Sequence, residues 1–256
     1  MSTADAAALF RTASRLRIIL TTRHPPLYHQ EEFTLHRGIR PAQGGNMPRV
    51  AAIIPAFNEE RTIGDVIGAA RRCRLVDDVI VVSDGSRDAT VMTARRHGAR
   101  VIELSENLGK GGAIAAGLGA TRAQYIVLLD GDLVGLTTQH VEDLLLPVLC
   151  GAAEVSIGQI KRDLMQTLFP NFSGQRALRR EVLEAIPNLE NTGFGVEAVL
   201  SRHLKSSGLR ACTVSLGHLT HVPKQEKHGL LRGYVGKLKA TWQIAKWSGR
   251  NGRAKA

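Results

Sequence analysis

Asp130 and Asp132 stand two positions apart in IVLLDGDL, directly after an apolar run. In extended backbone alternate side chains point the same way, so both carboxylates can face one hard cation. Mn²⁺ or Mg²⁺ takes oxygen ligands and bridges the phosphates of a substrate. As a Lewis acid it stabilises the charge that develops on a departing diphosphate. Alone, such a pair is more often a solvated turn. Its place after a strand in an alternating α/β pattern reverses that reading.

Two other segments have chemistry-bearing residues at turns. VIVVSDGSRDAT puts Asp84 at the end of a second apolar run, where a carboxylate can accept from a base N–H or from ribose hydroxyls. The neighbouring Asp88 reads as a helix cap and Arg87 as a solvated surface residue. NLGKGGA sets Lys110 between glycines ahead of a helix, where an ammonium and backbone N–H groups can both approach phosphate. It is not a P-loop: the first glycine of that motif would fall at Leu104, and Gly111 replaces the Ser or Thr after the lysine. Without further context this segment is a glycine-rich turn carrying an exposed lysine.

Strands and helices in strict alternation position these residues. Val50–Pro55, Asp78–Ser83, Val101–Leu104 and Ala123–Leu129 read as strands, and Arg61–Cys73, Ala89–His97 and Gly112–Ala120 as helices. That order means a mostly parallel, Rossmann-like sheet with helices on both faces, because parallel strands need crossover connections. Ligands bind beyond the carboxyl ends of such strands. The loops expected there are all polar: Asn58-Glu59-Glu60, the turn from Asp84 to Asp88, the turn from Asn107 to Gly111, and Asp130-Gly131-Asp132.

Composition sets wider bounds. A chain of 256 residues, 43% hydrophobic and 22% charged, has room for one packed domain. Its longest apolar stretches are strand-sized, far short of the roughly 20 residues that cross a bilayer. Cys73, Cys150 and Cys212 are odd in number and widely spaced, which argues against a disulfide framework or thiolate zinc site and points to a reducing, cytoplasmic setting. The net charge of +11 implies an anionic partner. With aromatics at only 4%, stacking platforms for nucleic acid are not expected.

Residues 1–48 lack sustained periodicity and read as a mobile extension, with a helix from Ala6 to Leu20 or a transit-like leader as alternatives. The catalytic domain is expected over 49–229, with a nucleotide-binding half at 49–135 and an acceptor half at 136–229. Residues 230–256 form a basic amphipathic segment. It reads as a helix packed on the core or as one lying on an anionic membrane, with Trp242 and Trp247 at the interface. A homodimer is compatible with all of this.

Taken together, VAAIIPAFNEERTI, VVSDGSRDAT, NLGKGGA and LLDGDL resemble, in order and spacing, the nucleotide-binding half of family 2 and related glycosyltransferases of the GT-A fold. The resemblance implies an enzyme that transfers a sugar from a nucleoside-diphosphate donor, with a UDP-sugar favoured. By it, Pro55, Ala56, Asn58, Glu59 and Asp84 line a nucleoside pocket, Lys110 lies near base or phosphate, and Asp130 and Asp132 hold the metal. The second half, with NTGFGVEAVL and LGHLTH, is similar to the acceptor halves of polyprenol-phosphate sugar synthases and glucosyl-3-phosphoglycerate synthases. That similarity makes His221 a third metal ligand and puts Glu197 on the helix facing the acceptor. Ordinary roles stay open: His221 as a loop histidine, and Glu197 as a partner of Arg176 or Arg180.

Two features depart from the glucosyl-3-phosphoglycerate pattern. Gln175 stands where those enzymes carry glutamate, and a long acceptor loop is absent. The acceptor is expected to be anionic and phosphorylated, such as a polyprenol phosphate, with Arg176, Lys224 and Lys227 as its cations. A phosphate with a second pKa near ~6 arrives largely ionised and needs little help from a base. Glu197 is the base expected for a hydroxyl acceptor. A small phosphorylated acceptor and a catalytically inactive nucleotide-sugar-binding protein are the alternatives.

Overall fold

The computed structural model describes residues 49–160, 173–217 and 219–221, and two backbone segments at 17–22 and 29–34. Lys224, Lys227 and the segment 230–256 lie outside the described residues. The first strands are β1 (Arg17–Thr22), β2 (His29–Thr34), β3 (Val50–Ala56), β4 (Asp78–Asp84), β5 (Arg100–Leu104) and β6 (Tyr125–Leu128). They are followed by β7 (Leu133–Val134), β8 (Val155–Gln159), β9 (Arg176–Arg179), β10 (Ala211–Ser215) and β11 (Thr220–His221). The helices are α1 (Ile63–Arg72), α2 (Thr90–Arg96), α3 (Gly109–Gly119), α4 (Thr138–Leu149), α5 (Arg180–Glu184) and α6 (Val196–Ser207).

The main sheet has the order β2-β1-β10-β8-β9-β6-β3-β4-β5. From β10 to β5 every strand runs in one direction except β9, which is antiparallel to both of its neighbours. Strand β3 is followed in sequence by β4 and β5 on one side, after which the chain returns to place β6 on the other. That reversal opens a crevice at the carboxyl ends of β3 and β6, the switch point at which open α/β sheets bind ligands.

Burial on both faces explains the apolar strands. Ala52 and Ile54 of β3 pack with Ile63, Val66 and Ile67 of α1 and with Val141, Leu144 and Leu145 of α4. Ala51 and Ile53 point the other way, into a second cluster with Ala113, Ile114 and Leu118 of α3 and Val196, Leu200 and Leu204 of α6. The strands and helices expected between Val50 and Leu129 all form. Helix α3 begins at Gly109, three residues before the expected start, because Asp84 supplies its cap.

Segments 17–22 and 29–34, within the stretch read as a mobile extension, form a hairpin that pairs antiparallel with β10. Extension of a sheet edge uses backbone hydrogen bonds, which do not depend on side-chain type.

Candidate active site

The carboxyl ends of β3, β4 and β6 deliver three polar loops to the crevice. The loop after β6 carries Asp130-Gly131-Asp132 and is fixed from below. Buried Thr62, just ahead of α1, donates its hydroxyl to the Gly131 carbonyl at 2.7 Å. Gly131 sits in a tight space: a Cβ would lie 3.3 Å from Ala56 Cβ, Glu59 Cγ and the Pro55 carbonyl oxygen. Pro55, Ala56 and Glu59 thus pack beneath the aspartate turn.

Asp132 leads into β7, which pairs antiparallel with β11 so that Leu133 faces His221. This two-strand ladder brings the histidine back from 89 residues later, with His221 Nδ1 and Asp132 Oδ1 2.9 Å apart. Asp130, Asp132 and His221 each offer a ligand atom within 4.8 Å of the others. Cis ligands of an octahedral ion at about 2.1 Å are about 3 Å apart, so the His221–Asp132 spacing already matches one edge of such a shell. Two carboxylates and an imidazole suit Mn²⁺ or Mg²⁺, with the nitrogen favouring Mn²⁺. Burial pushes the His221 pKa down, but the Asp132 hydrogen bond and the charges of Asp130 and Asp132 outweigh it, so the net shift is upward.

Lys110 is not an exposed lysine. Its ammonium lies between Asp130 Oδ1 and Glu197 Oε1, 2.6 Å from the latter, and its side chain is 17% exposed. Burial would lower its pKa, and the two carboxylates more than reverse that. Glu197, in the first turn of α6, is therefore paired with Lys110, while Arg180 pairs with Glu184.

Two of the expected site residues have buried partners within the fold. Asp84 is 4% exposed, and its carboxylate accepts from the backbone N–H of Leu108 at 2.7 Å and of Gly109 at 2.9 Å. It holds the start of α3. Burial raises its pKa, and those two N–H bonds oppose the rise. Arg176 is fully buried in β9, where Nε donates to the Ser173 carbonyl at 2.9 Å and a terminal nitrogen donates to Ser201 Oγ at 3.1 Å. Burial lowers its pKa to about 10, and Glu197 pulls the other way. No solvent-borne acceptor reaches a guanidinium with no exposed surface. Sequence alone could not show this, because the antiparallel insertion of β9 into the sheet is a tertiary event.

Asn58, with φ of 57°, accepts from Arg87 N–H at 2.8 Å and receives Ser86 as partner to its own N–H at 3.1 Å. Beside it lies a cavity of about 400 Å³ lined by Phe57, Asn58, Gly85, Arg87, Ser105, Glu106 and Asn107. Among the residues expected to line a nucleoside pocket, Asn58 lines this cavity. Arg87, read as mere surface, joins it, and Asp88 acts as expected by accepting from Thr90 N–H at 3.0 Å. Gln175, marked in the sequence only as a departure from glutamate, donates to Asp130 Oδ2 at 2.7 Å from a fully buried position.

The family model of "Glycosyl transferase family 2" matches residues 51–196. A dolichyl-phosphate beta-glucosyltransferase of Drosophila melanogaster is 38% identical over 99 residues, 32% of this chain and 30% of that protein. A glucosyl-3-phosphoglycerate synthase of Mycobacterium tuberculosis is 30% identical over 190 residues, 58% of each chain. The chain thus spans less than two thirds of the length of these curated relatives. The crystal structure of the Mycobacterium tuberculosis glucosyl-3-phosphoglycerate synthase with Mn²⁺, UDP-glucose and phosphoglyceric acid superposes with a TM-score of 0.60 at 29% identity. That superposition covers 72% of this chain and 76% of that one.

Proposed function

The chain belongs to glycosyl transferase family 2, and from that premise we propose that it transfers a sugar from a nucleoside-diphosphate donor, a UDP-sugar by preference, to an anionic, phosphorylated acceptor. The observation that carries this reading is the convergence of Asp130, Asp132 and His221 at the switch point of the sheet. Support for the donor comes from the cavity beside Asn58, at the carboxyl end of β3, and from the UDP-glucose and Mn²⁺ held by the mycobacterial structure.

Asp130, Asp132 and His221 would hold Mn²⁺ or Mg²⁺, which supplies Lewis-acid stabilisation of the departing diphosphate. The residues of the chain do the rest. Asn58 and the cavity lining take the nucleoside, and the Thr62–Gly131 bond keeps the aspartate turn in register with them. Lys110 joins the two halves of the site through Asp130 and Glu197 and adds a cation beside the expected diphosphate. Glu197 has one oxygen engaged by Lys110, an arrangement that suits an acceptor arriving already ionised better than one needing strong general-base help.

A small phosphorylated acceptor is favoured over a polyprenol phosphate by one observation. Similarity to the glucosyl-3-phosphoglycerate synthase extends over 190 residues, against 155 and 99 for the dolichyl-phosphate enzymes of Mus musculus and Drosophila melanogaster. The test is a panel of UDP- and GDP-sugars with Mn²⁺, read first by thermal stabilisation and then by transfer to 3-phosphoglycerate and to a short polyprenol phosphate. Stabilisation by a UDP-sugar only with metal present, followed by transfer to one acceptor, is expected. Equal melting temperatures with and without every donor would remove the reading.

A further inference from the structure

Asp130 has both oxygens engaged, and by partners of different kinds. Lys110 brings a charge to Oδ1, whereas Gln175 brings only a dipole to Oδ2. The amide is buried completely, a position where an unneeded polar group is costly and an apolar side chain would pack as well. Its surroundings fix which end faces the aspartate. Ser173 Oγ accepts from the backbone N–H of Gln175 at 3.2 Å, leaving the hydroxyl proton to be donated to Gln175 Oε1 at 3.0 Å. Nε2 is thereby turned toward Asp130 Oδ2 at 2.7 Å.

The turn that carries Gln175 is built for close approach. A Cβ on Gly174 would stand 2.7 Å from Asp130 Oδ1 and would also press on the Lys110 ammonium. Arg176 anchors the Ser173 carbonyl from within the sheet, and Gly158 N–H donates to the Gln175 carbonyl at 2.8 Å. The backbone of the turn is thus held from the sheet while the Gln175 amide meets Asp130.

We propose that Gln175 is a positioning residue for metal binding, its amide locked by Ser173 so that Nε2 holds the Asp130 carboxylate in the orientation in which it ligates a divalent cation. A second cation at this position would subtract from the attraction for the metal. A neutral donor orients the ligand without changing the charge of the site. Such outer partners of metal ligands are typically worth 10- to 100-fold in metal affinity.

The inference rests on the metal-dependent reading above, and one titration separates the two. Mn²⁺ binding to the full-length, donor-free protein is followed by the loss of the free-ion electron paramagnetic resonance signal. Wild type, Gln175→Met, Ser173→Ala and Asp132→Ala are compared, with melting in chelator as the check on folding. Gln175→Met keeps length and bulk but not the donor, and is expected to bind Mn²⁺ about tenfold more weakly. Ser173→Ala, which lets the amide turn its oxygen toward Asp130, should show a smaller loss in the same direction. It also carries the test alone if Gln175→Met does not fold. In turnover the loss should appear in the Mn²⁺ half-saturation concentration and vanish at saturating metal. Wild-type Mn²⁺ affinity in the folded Gln175 and Ser173 variants overturns the inference while leaving the metal site standing. A wild-type protein that binds Mn²⁺ no better than Asp132→Ala overturns the metal site and the inference with it.

Discussion

Asp84 shows how one residue type can support two roles that only its partners distinguish. A carboxylate at the end of a strand can read a ligand or cap the next helix, and here both oxygens are engaged by the first N–H groups of α3. Asp84→Ala is therefore expected to cost about 2 kcal/mol of stability, the range of a lost charged cap, with UDP affinity nearly unchanged. Denaturant unfolding and calorimetry decide it: normal stability with lost UDP binding would restore the nucleoside role. Arg176 follows the same logic. Arg176→Leu leaves the Ser173 carbonyl and Ser201 without their buried donor, and a loss of about 3 kcal/mol is expected, whereas a surface cation awaiting an acceptor would cost almost nothing.

At the scale of elements, the glycines of NLGKGGA serve packing more than phosphate. The first turn of α3 lies against the short helical turns Leu189–Asn191 and Gly193–Gly195, which lead into α6. A Cβ on Gly111 would reach within 2.6 Å of the Leu189 carbonyl oxygen and press on Thr192 Oγ1. Glycine to alanine inside a helix normally gains up to ~1 kcal/mol. At Gly111 the sign reverses, and Gly111→Ala is expected to cost about 1 to 3 kcal/mol through overpacking. It should also lower activity, because the same contact seats Glu197 against Lys110. Gly119→Ala, at the far end of α3 with nothing within 4 Å of the added atom, is the control and should be neutral or stabilising. Equal effects at both positions would refute the packing argument.

For the whole molecule, long-range contacts decide both chemistry and stability. Asp132→Ala and His221→Ala should each weaken Mn²⁺ binding and metal-dependent turnover, with melting in chelator close to wild type. An undiminished rate for His221→Ala would make that histidine an ordinary member of β11. Cys73 and Cys212 are each 1% exposed, one at the C-terminal end of α1 and the other in β10. Burial drives their pKa values up to about 11 and about 12; N–H groups of Leu75 and Val76 partly offset it at Cys73, and Cys150 adds to it at Cys212. The native protein should resist alkylation at both until it is unfolded. Because the folded pKa values are raised, the unfolded chain releases these protons first as pH climbs. Their contribution to stability is intact below pH 9.0 and falls away as pH rises toward about 11. Equal alkylation of native and denatured protein would contradict that burial.

Much of this was legible in the chain itself, wherever the determinants are local. Apolar runs of strand length, helix-length spacers between them and polar turns at strand ends imposed an alternating α/β core. The ordered motifs from Pro55 to Asp132 located the ligand-binding edge. Tertiary structure decided whatever depends on which distant groups meet. It tied His221 to Asp132 through the β7–β11 ladder, paired Glu197 with Lys110, and set Arg176 inside the sheet. It gave Asp84 to a helix terminus and turned Gln175 toward Asp130. The physical reason is one of range. Periodicity and turn chemistry record how a residue sits relative to its near neighbours, whereas a side chain's partner across 45 or 89 positions is set only when the sheet closes.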